Sequence, residues 1–164
     1  TQIAAEPLLM NRKSRLALFA VFVFVVGAIS FNILNEDIPV ATNLPDASLR
    51  TVQVAGQPIK VIVADTPEAR AKGLGGQTRL APDEGMLFVF DSDAKYQFWM
   101  KDMRFPIDIL WLSDKGEVVD IRENASPATY PAVFAPNSPA RYVLELPAGF
   151  AKENGVSIGE IVRL

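Results

Sequence analysis

Residues 107–123 read IDILWLSDKGEVVDIRE, an apolar run (107–112) and a second run (117–123) on either side of Ser113-Asp114-Lys115-Gly116. Two such runs joined by four turn-forming residues predict a β-hairpin, the clearest in the chain. Working outward from it gives more of the same. Upstream, residues 85–90 (GMLFVF) are continuously apolar, flanked by Asp and Glu, and too short to cross a bilayer, which predicts a strand buried on both faces. Residues 96–100 are expected to form another strand. Downstream, residues 141–146 (RYVLEL) alternate as a strand, residues 150–154 suit one helical turn ending at Gly155, and residues 160–164 (EIVRL) are expected to close the sheet.

The first strands of the domain pair locally. Val52 and Val54 alternate with polar neighbours, Ala55-Gly56-Gln57-Pro58 supplies turn chemistry, and residues 59–64 resume with β-branched side chains, so a hairpin is predicted here too. Thr66-Pro67-Glu68 is a helix start: Thr66 caps, Pro67 fits the first helical position, and Glu68 suits the positive end of the helix dipole. Gly73 ends that helix after about two turns. Many short strands with two short helices predict a mainly β domain, an antiparallel β-sandwich or jelly-roll-like barrel.

Ahead of the domain, residues 16–34 (LALFAVFVFVVGAISFNIL) carry no charge. At about 1.5 Å of rise per residue such a helix is roughly 28 Å long, close to the ~30 Å hydrocarbon core of a bilayer. Phe19, Phe22 and Phe24 belong to its lipid-facing surface, and the small residue Gly27 allows a close helix contact. Arg12, Lys13 and Arg15 precede the span and Glu36 and Asp37 follow it, which places residues 1–15 in the cytoplasm and the domain outside. A cleaved secretory signal is the alternative, with Ala28-Ile29-Ser30 as its processing site. Signal apolar regions usually cover roughly 7–15 residues, so a retained transmembrane helix is expected instead. Residues 35–48, with two prolines and no helical period, read as a linker to a periplasmic or extracellular β domain at 49–164.

Composition removes whole classes of chemistry. The chain has no Cys and no His, so triad hydrolysis, Cys-His catalysis, zinc sites with Cys or His ligands, blue-copper sites and c-type haem attachment are excluded within it. No disulfide holds the fold. From residue 35 onward 18 Asp and Glu face 13 Lys and Arg, the wrong sign for neutralising nucleic-acid phosphates.

Several linked motifs, in order, carry a family resemblance: Arg70-x-x-Gly73-Leu74, Arg79-Leu80, residues 85–90, Phe98-Trp99-Met100-Lys101-Asp102-Met103, Pro106-Ile107-Asp108-Ile109, Asp114-x-Gly116-x-Val118, and Tyr142-Val143-Leu144-Glu145-Leu146 with Ala148-Gly149-Phe150. Together they resemble the domain of unknown function 192 family from about Val52 to Leu164. The chain departs from the usual Met-Lys-Asn-Thr at Met100-Lys101-Asp102-Met103, exchanging an amide and a hydroxyl for a carboxylate and a thioether. The resemblance implies a compact jelly-roll-like sandwich, exported or membrane-anchored in bacteria, which puts the anchor in the inner membrane. It implies no reaction.

Lys101, Asp102 and Asp108, beside Trp99 and Trp111, are the first candidate site: a rim of charge over an aromatic floor, suited to a small polar ligand or an oligosaccharide. The plainer reading pairs Lys101 with Asp108 or Glu145 as an ordinary ion pair at a sheet end. The second candidate is the proline-rich stretch 126–139, with Pro127, Tyr130, Pro131, Phe134 and Pro136 as an extended contact surface. Asp83, Glu84, Asp91 and Asp93 lack the glycine and terminal Glu of a calcium loop and read as solvated turns. Gly73-Leu74-Gly75-Gly76 follows a helix and reads as turn geometry, and Met86, Met100 and Met103 read as core filler. No catalytic residue, metal or cofactor is expected. The leading expectation is a non-enzymatic accessory subunit that docks on and stabilises a larger membrane complex, photosynthetic or respiratory, in a hetero-oligomer without nucleic acid. A small-ligand-binding module or a carboxylate-dependent hydrolase of the envelope is the alternative.

Overall fold

The computed structural model describes residues 49–164. The predicted membrane helix with Phe19, Phe22, Phe24 and Gly27, the cytoplasmic segment and the linker lie outside the described residues. Among the described residues no helix is long and apolar enough to cross a membrane.

Eight strands and two short helices follow in order: β1 (Leu49–Val54), β2 (Gln57–Ala64), α1 (Pro67–Lys72), β3 (Glu84–Ala94), β4 (Phe98–Trp99), β5 (Ile107–Leu112), β6 (Val118–Ala125), β7 (Val133–Phe134), β8 (Ala140–Pro147) and α2 (Phe150–Asn154). Six strands form one sheet in the order β1-β2-β3-β8-β5-β6, and β4 pairs with β7 in a separate two-stranded ribbon. The expected antiparallel sandwich or jelly-roll-like barrel is mainly β as read, but its main sheet is mixed and is not a closed barrel. β2 and β3 run parallel, from Lys60 opposite Glu84 to Ala64 opposite Phe88. A parallel neighbour needs a crossover rather than a tight turn, and α1 with the loop after it supplies that crossover.

The helix start behaves as its residues dictate: Thr66 Oγ1 accepts from the Ala69 amide at 3.1 Å, Pro67 opens the helix, and the Gly73 amide donates back to the Ala69 carbonyl. The closing segment behaves differently from expectation. Residues 160–164 form single bridges, Arg163 to Gln53 on β1 and Ile161 to Glu117 before β6, in place of a strand. Its backbone bonds go alternately to opposite edges, Arg163 with Gln53 and Val162 with Gly116, so no ladder builds up and the sheet is not a closed barrel.

Alternation along the strands sends side chains to two faces, and both are buried. One core contains Val52, Val54, Val61, Leu87, Leu110 and Leu144, packed against Phe150 and Ala151 of α2 and Val162 near the C-terminus. The other contains Met86, Phe88, Ile109, Trp111 and Val143 beneath Leu74 and Met100, with Phe98 and Phe134 of the ribbon packed against it. The ribbon and the loop after α1 therefore roof the second face, and this roof makes the site.

Candidate functional site

Three acidic side chains are buried in the domain: Glu84, Asp108 and Glu145. Removing a carboxylate from water is costly unless hydrogen bonds replace the water. Glu84 receives the Ala81 amide at 3.0 Å. Asp108 receives three amides, Asn124 and Gly149 on Oδ1 at 2.8 and 3.1 Å and Ala151 on Oδ2 at 2.9 Å. Gly149 offers no side chain to cap α2, so Asp108 fills that role from the neighbouring strand. Glu145 is different: 6% exposed, its Oε2 has no hydrogen-bond partner among the described residues.

Glu145 sits near the centre of the second face, between Met86 on β3 and Ile109 on β5 in the strand register. These apolar neighbours leave nothing to stabilise a charge, and burial pushes its carboxyl up to about 8. Glu145 is among the residues that line a cavity of about 480 Å³. Phe88, Phe90, Phe98 and Trp99 give that cavity aromatic walls, and residues 70–75 with Lys101, Asp102 and Met103 complete its lining. The aromatic groups are locked together: Phe90 stacks on Tyr96 at 3.5 Å between ring centroids, and Phe98 meets both Phe88 (4.9 Å) and Trp111 (6.2 Å) edge-on. The Trp111 indole donates to the Tyr96 carbonyl at 2.9 Å, tying β5 to the segment before β4.

The two loops at the mouth are joined by one backbone bond, from the Gly76 amide to the Asp102 carbonyl at 3.0 Å. A β-carbon at Gly75 would lie 3.0 Å from the Lys72 carbonyl oxygen and 3.6 Å from Asp102 Cβ, so glycine permits this approach. Asp102 has φ +58, a left-handed conformation that Asn and Asp tolerate better than most residues. Asp at this position thus suits the backbone while adding a charge to the rim.

Of the first candidate set, the structure brings Trp99, Lys101 and Asp102 to the cavity. Lys101 Nζ lies over the Trp99 ring at 5.8 Å. Asp108 is not part of it: odd spacing from Trp111 sends it to the opposite face, where α2 holds it. Trp111 is buried in the second core rather than exposed as a floor. The anticipated Lys101 ion pair is also absent, since the salt bridges among the described residues are Lys60 with Asp83 and Arg141 with Asp93.

The proline-rich stretch is folded onto the domain. Ser126 caps a 3-10 turn over Pro127–Thr129, a cis bond joins Tyr130 to Pro131, Phe134 lies beneath the Arg122 guanidinium at 4.6 Å, and Pro136 is buried. Asp120 receives both the amide and the side-chain nitrogen of Asn137, at 2.6 and 2.9 Å. Tyr130 (47% exposed) meets Trp99 (51%) with ring centroids 5.8 Å apart, and Val133 (52%) is exposed on the same ribbon.

The remaining motifs take structural parts. Asp83 and Asp93 pair with Lys60 and Arg141 while Glu84 takes a backbone amide, and no group of three potential metal-ligating His, Cys, Asp or Glu side chains occurs among the described residues. Met86 and Met100 are core residues, with Met103 packed against them. Sequence reasoning passed over Glu145 as a site residue, along with Arg70, Lys72, Phe88, Phe90 and Phe98. The available signal was a lone acid on the face of β8 that also carries Val143.

The profile of the DUF192 family, described as "Uncharacterized ACR", matches residues 50–164. Among solved structures, the domain is similar to a protein of Sinorhizobium meliloti 1021 provisionally described as a transcription regulator, at 36% identity and a TM-score of 0.64, covering 70% of this chain and 90% of that one. It is also similar to a protein of unknown function from Novosphingobium aromaticivorans DSM 12444, at 28% identity and a TM-score of 0.66, covering 71% and 85%. No curated protein matches the chain significantly.

Proposed function

The chain belongs to the domain of unknown function 192 family, and from that premise we propose that its β domain is a small-ligand-binding module, held at the bacterial inner membrane by the helix of residues 16–34 and facing the periplasm. The observation that carries this reading is Glu145: a buried carboxyl with an unpartnered oxygen, on a residue that lines an aromatic cavity with a charged mouth. Convergent polar groups in an apolar recess are the usual makings of a ligand site. The hydrolase expected at Lys101, Asp102 and Asp108 is not proposed, because Asp108 is occupied on the other side of the sheet. The regulator description of the S. meliloti relative is not carried over, given the acidic balance of the domain.

Native mass spectrometry of the full chain, released from its own membranes, tests the reading. Wild type is expected to carry a small-molecule mass that the Glu145→Gln variant loses. A bare wild-type protein that no small molecule perturbs would overturn it.

A second reading, an accessory subunit docked on a larger membrane complex, is favoured by the exposed Trp99 and Val133 on the β4–β7 ribbon, with the exposed Tyr130 against Trp99. Aromatic side chains of this kind anchor protein interfaces. Co-migration with a larger assembly in native separation, lost in a Trp99→Ser, Tyr130→Ser double variant, is the expected result; unchanged migration would overturn it.

A further inference from the structure

The charges of the cavity are arranged by depth. Glu145 lies at the buried end, while Lys72 and Lys101 are exposed at the mouth, and neither lysine makes a salt bridge among the described residues. Arg70 is already committed: its Nη1 donates to the Asp65 and Val89 carbonyls at 2.7 and 2.8 Å, and its guanidinium lies over Phe90 at 5.2 Å. Asp102 offsets one of the two lysines, so with Arg70 the mouth stays net positive.

We propose, building on the ligand-binding reading, that the cavity takes a small zwitterion with an apolar body: a primary amine inward on Glu145, an anionic group outward at Lys72 and Lys101, and the body against Phe88, Phe98 and Trp99. Each part answers a feature of the site. An ammonium donates to the Glu145 carboxyl and brings the counter-charge that lets a buried carboxyl ionise. Its positive charge also suits the aromatic faces. A ligand bearing only a cation meets the positive mouth without compensation. One bearing only an anion leaves Glu145 unpaired. The aromatic walls favour an apolar body over a hydrated one.

L-Phenylalanine is the probe, with 2-phenylethylamine, 3-phenylpropionate and N-acetylphenylalaninamide as amine-only, acid-only and neutral comparators. The full chain in lipid nanodiscs has two tryptophans, Trp99 at the cavity and Trp111 in the core beneath it, so their emission reports binding. L-Phenylalanine is expected to bind at least tenfold more tightly than each comparator. Glu145→Gln should reduce its affinity tenfold or more, and a Lys72→Gln, Lys101→Gln double variant should bring it down to that of 2-phenylethylamine. Equal binding of the neutral comparator would overturn the zwitterion while leaving a ligand site standing. Silence from all four compounds also overturns it, and the ligand-binding reading falls with it only if native mass spectrometry shows the wild-type chain bare.

Discussion

Replacing Glu145 by Gln is expected to remove a pH dependence of stability that this one side chain imposes. An unfolded glutamate titrates near 4.5, whereas burial holds the folded carboxyl up to about 8. Between those values the folded chain keeps a proton that the unfolded chain has released, so stability falls as pH rises. The contribution is flat below 4.5, declines by about 1.4 kcal/mol per unit through the window, and is flat again above 8. The full loss is about 5 kcal/mol, and about 3 kcal/mol of it has accrued by pH 7. Gln has nearly the same shape and no charge to bury. The variant should match wild type near pH 4.5 and exceed it by about 3 kcal/mol at pH 7. Asp83, held below its ordinary value chiefly by the hydrogen bond from Lys60, acts with the opposite sign in both proteins and cancels in the difference. Urea unfolding of the full chain in detergent, followed by tryptophan emission from pH 4.5 to 9, measures it. Parallel wild-type and variant curves across this range would refute the argument that Glu145 is buried without a partner.

Two further substitutions probe the scaffold. Asp108→Ala strips the acceptor from three backbone amides, each bond to a charged group being worth roughly 1.5–3 kcal/mol. The urea midpoint should drop by the equivalent of at least about 3 kcal/mol, with amide exchange at Gly149 and Ala151 accelerated; a smaller loss would show that water replaces the carboxylate easily. Gly116→Ala puts a β-carbon onto the Val162 carbonyl oxygen at a residue with φ +78. The left-handed backbone alone costs about 1–3 kcal/mol, so a melting temperature within a degree of wild type would contradict the docking of the C-terminal segment on the hairpin.

The elements that could be read from sequence are those whose residues solve a local problem. The hairpins around Ala55-Gly56 and Ser113–Gly116, the Thr66-Pro67 helix start and the doubly buried run at 85–90 all follow from neighbouring residues. The parallel β2–β3 pairing did not, because it depends on where α1 lays the chain across the sheet. The site was half legible. Trp99, Lys101 and Asp102 are contiguous and chemically conspicuous, whereas Asp108 drew attention by proximity although strand parity from Trp111 already placed it on the other face. Glu145 was hidden by the opposite assumption. In RYVLEL the apolar face is Tyr142, Leu144 and Leu146, which leaves Glu145 on a face that a single-layered sheet would show to solvent. Only the roof of β4, β7 and the loop after α1, built from distant residues, turns that exposed position into a buried one.

The same carboxyl links stability to occupancy. Between Met86 and Ile109 a Leu or Met would have no charge to bury, while an acid weakens the empty domain as pH rises; a ligand amine removes that penalty by giving the carboxylate a counter-charge. A binder of the folded state stabilises it by RT ln(1 + [L]/Kd), about 2.7 kcal/mol at a hundredfold excess over Kd. Here the gain should grow with pH, because the amine favours the ionised carboxyl and draws its folded pKa back down toward the unfolded value. With saturating L-phenylalanine the decline between pH 4.5 and 8 should therefore flatten in wild type, and the Glu145→Gln curve should stay where it was. The urea series repeated with and without the amino acid decides the matter. A wild-type slope that persists at saturation would mean that the amine does not reach the Glu145 carboxyl, and that the ligand lies against the aromatic wall alone.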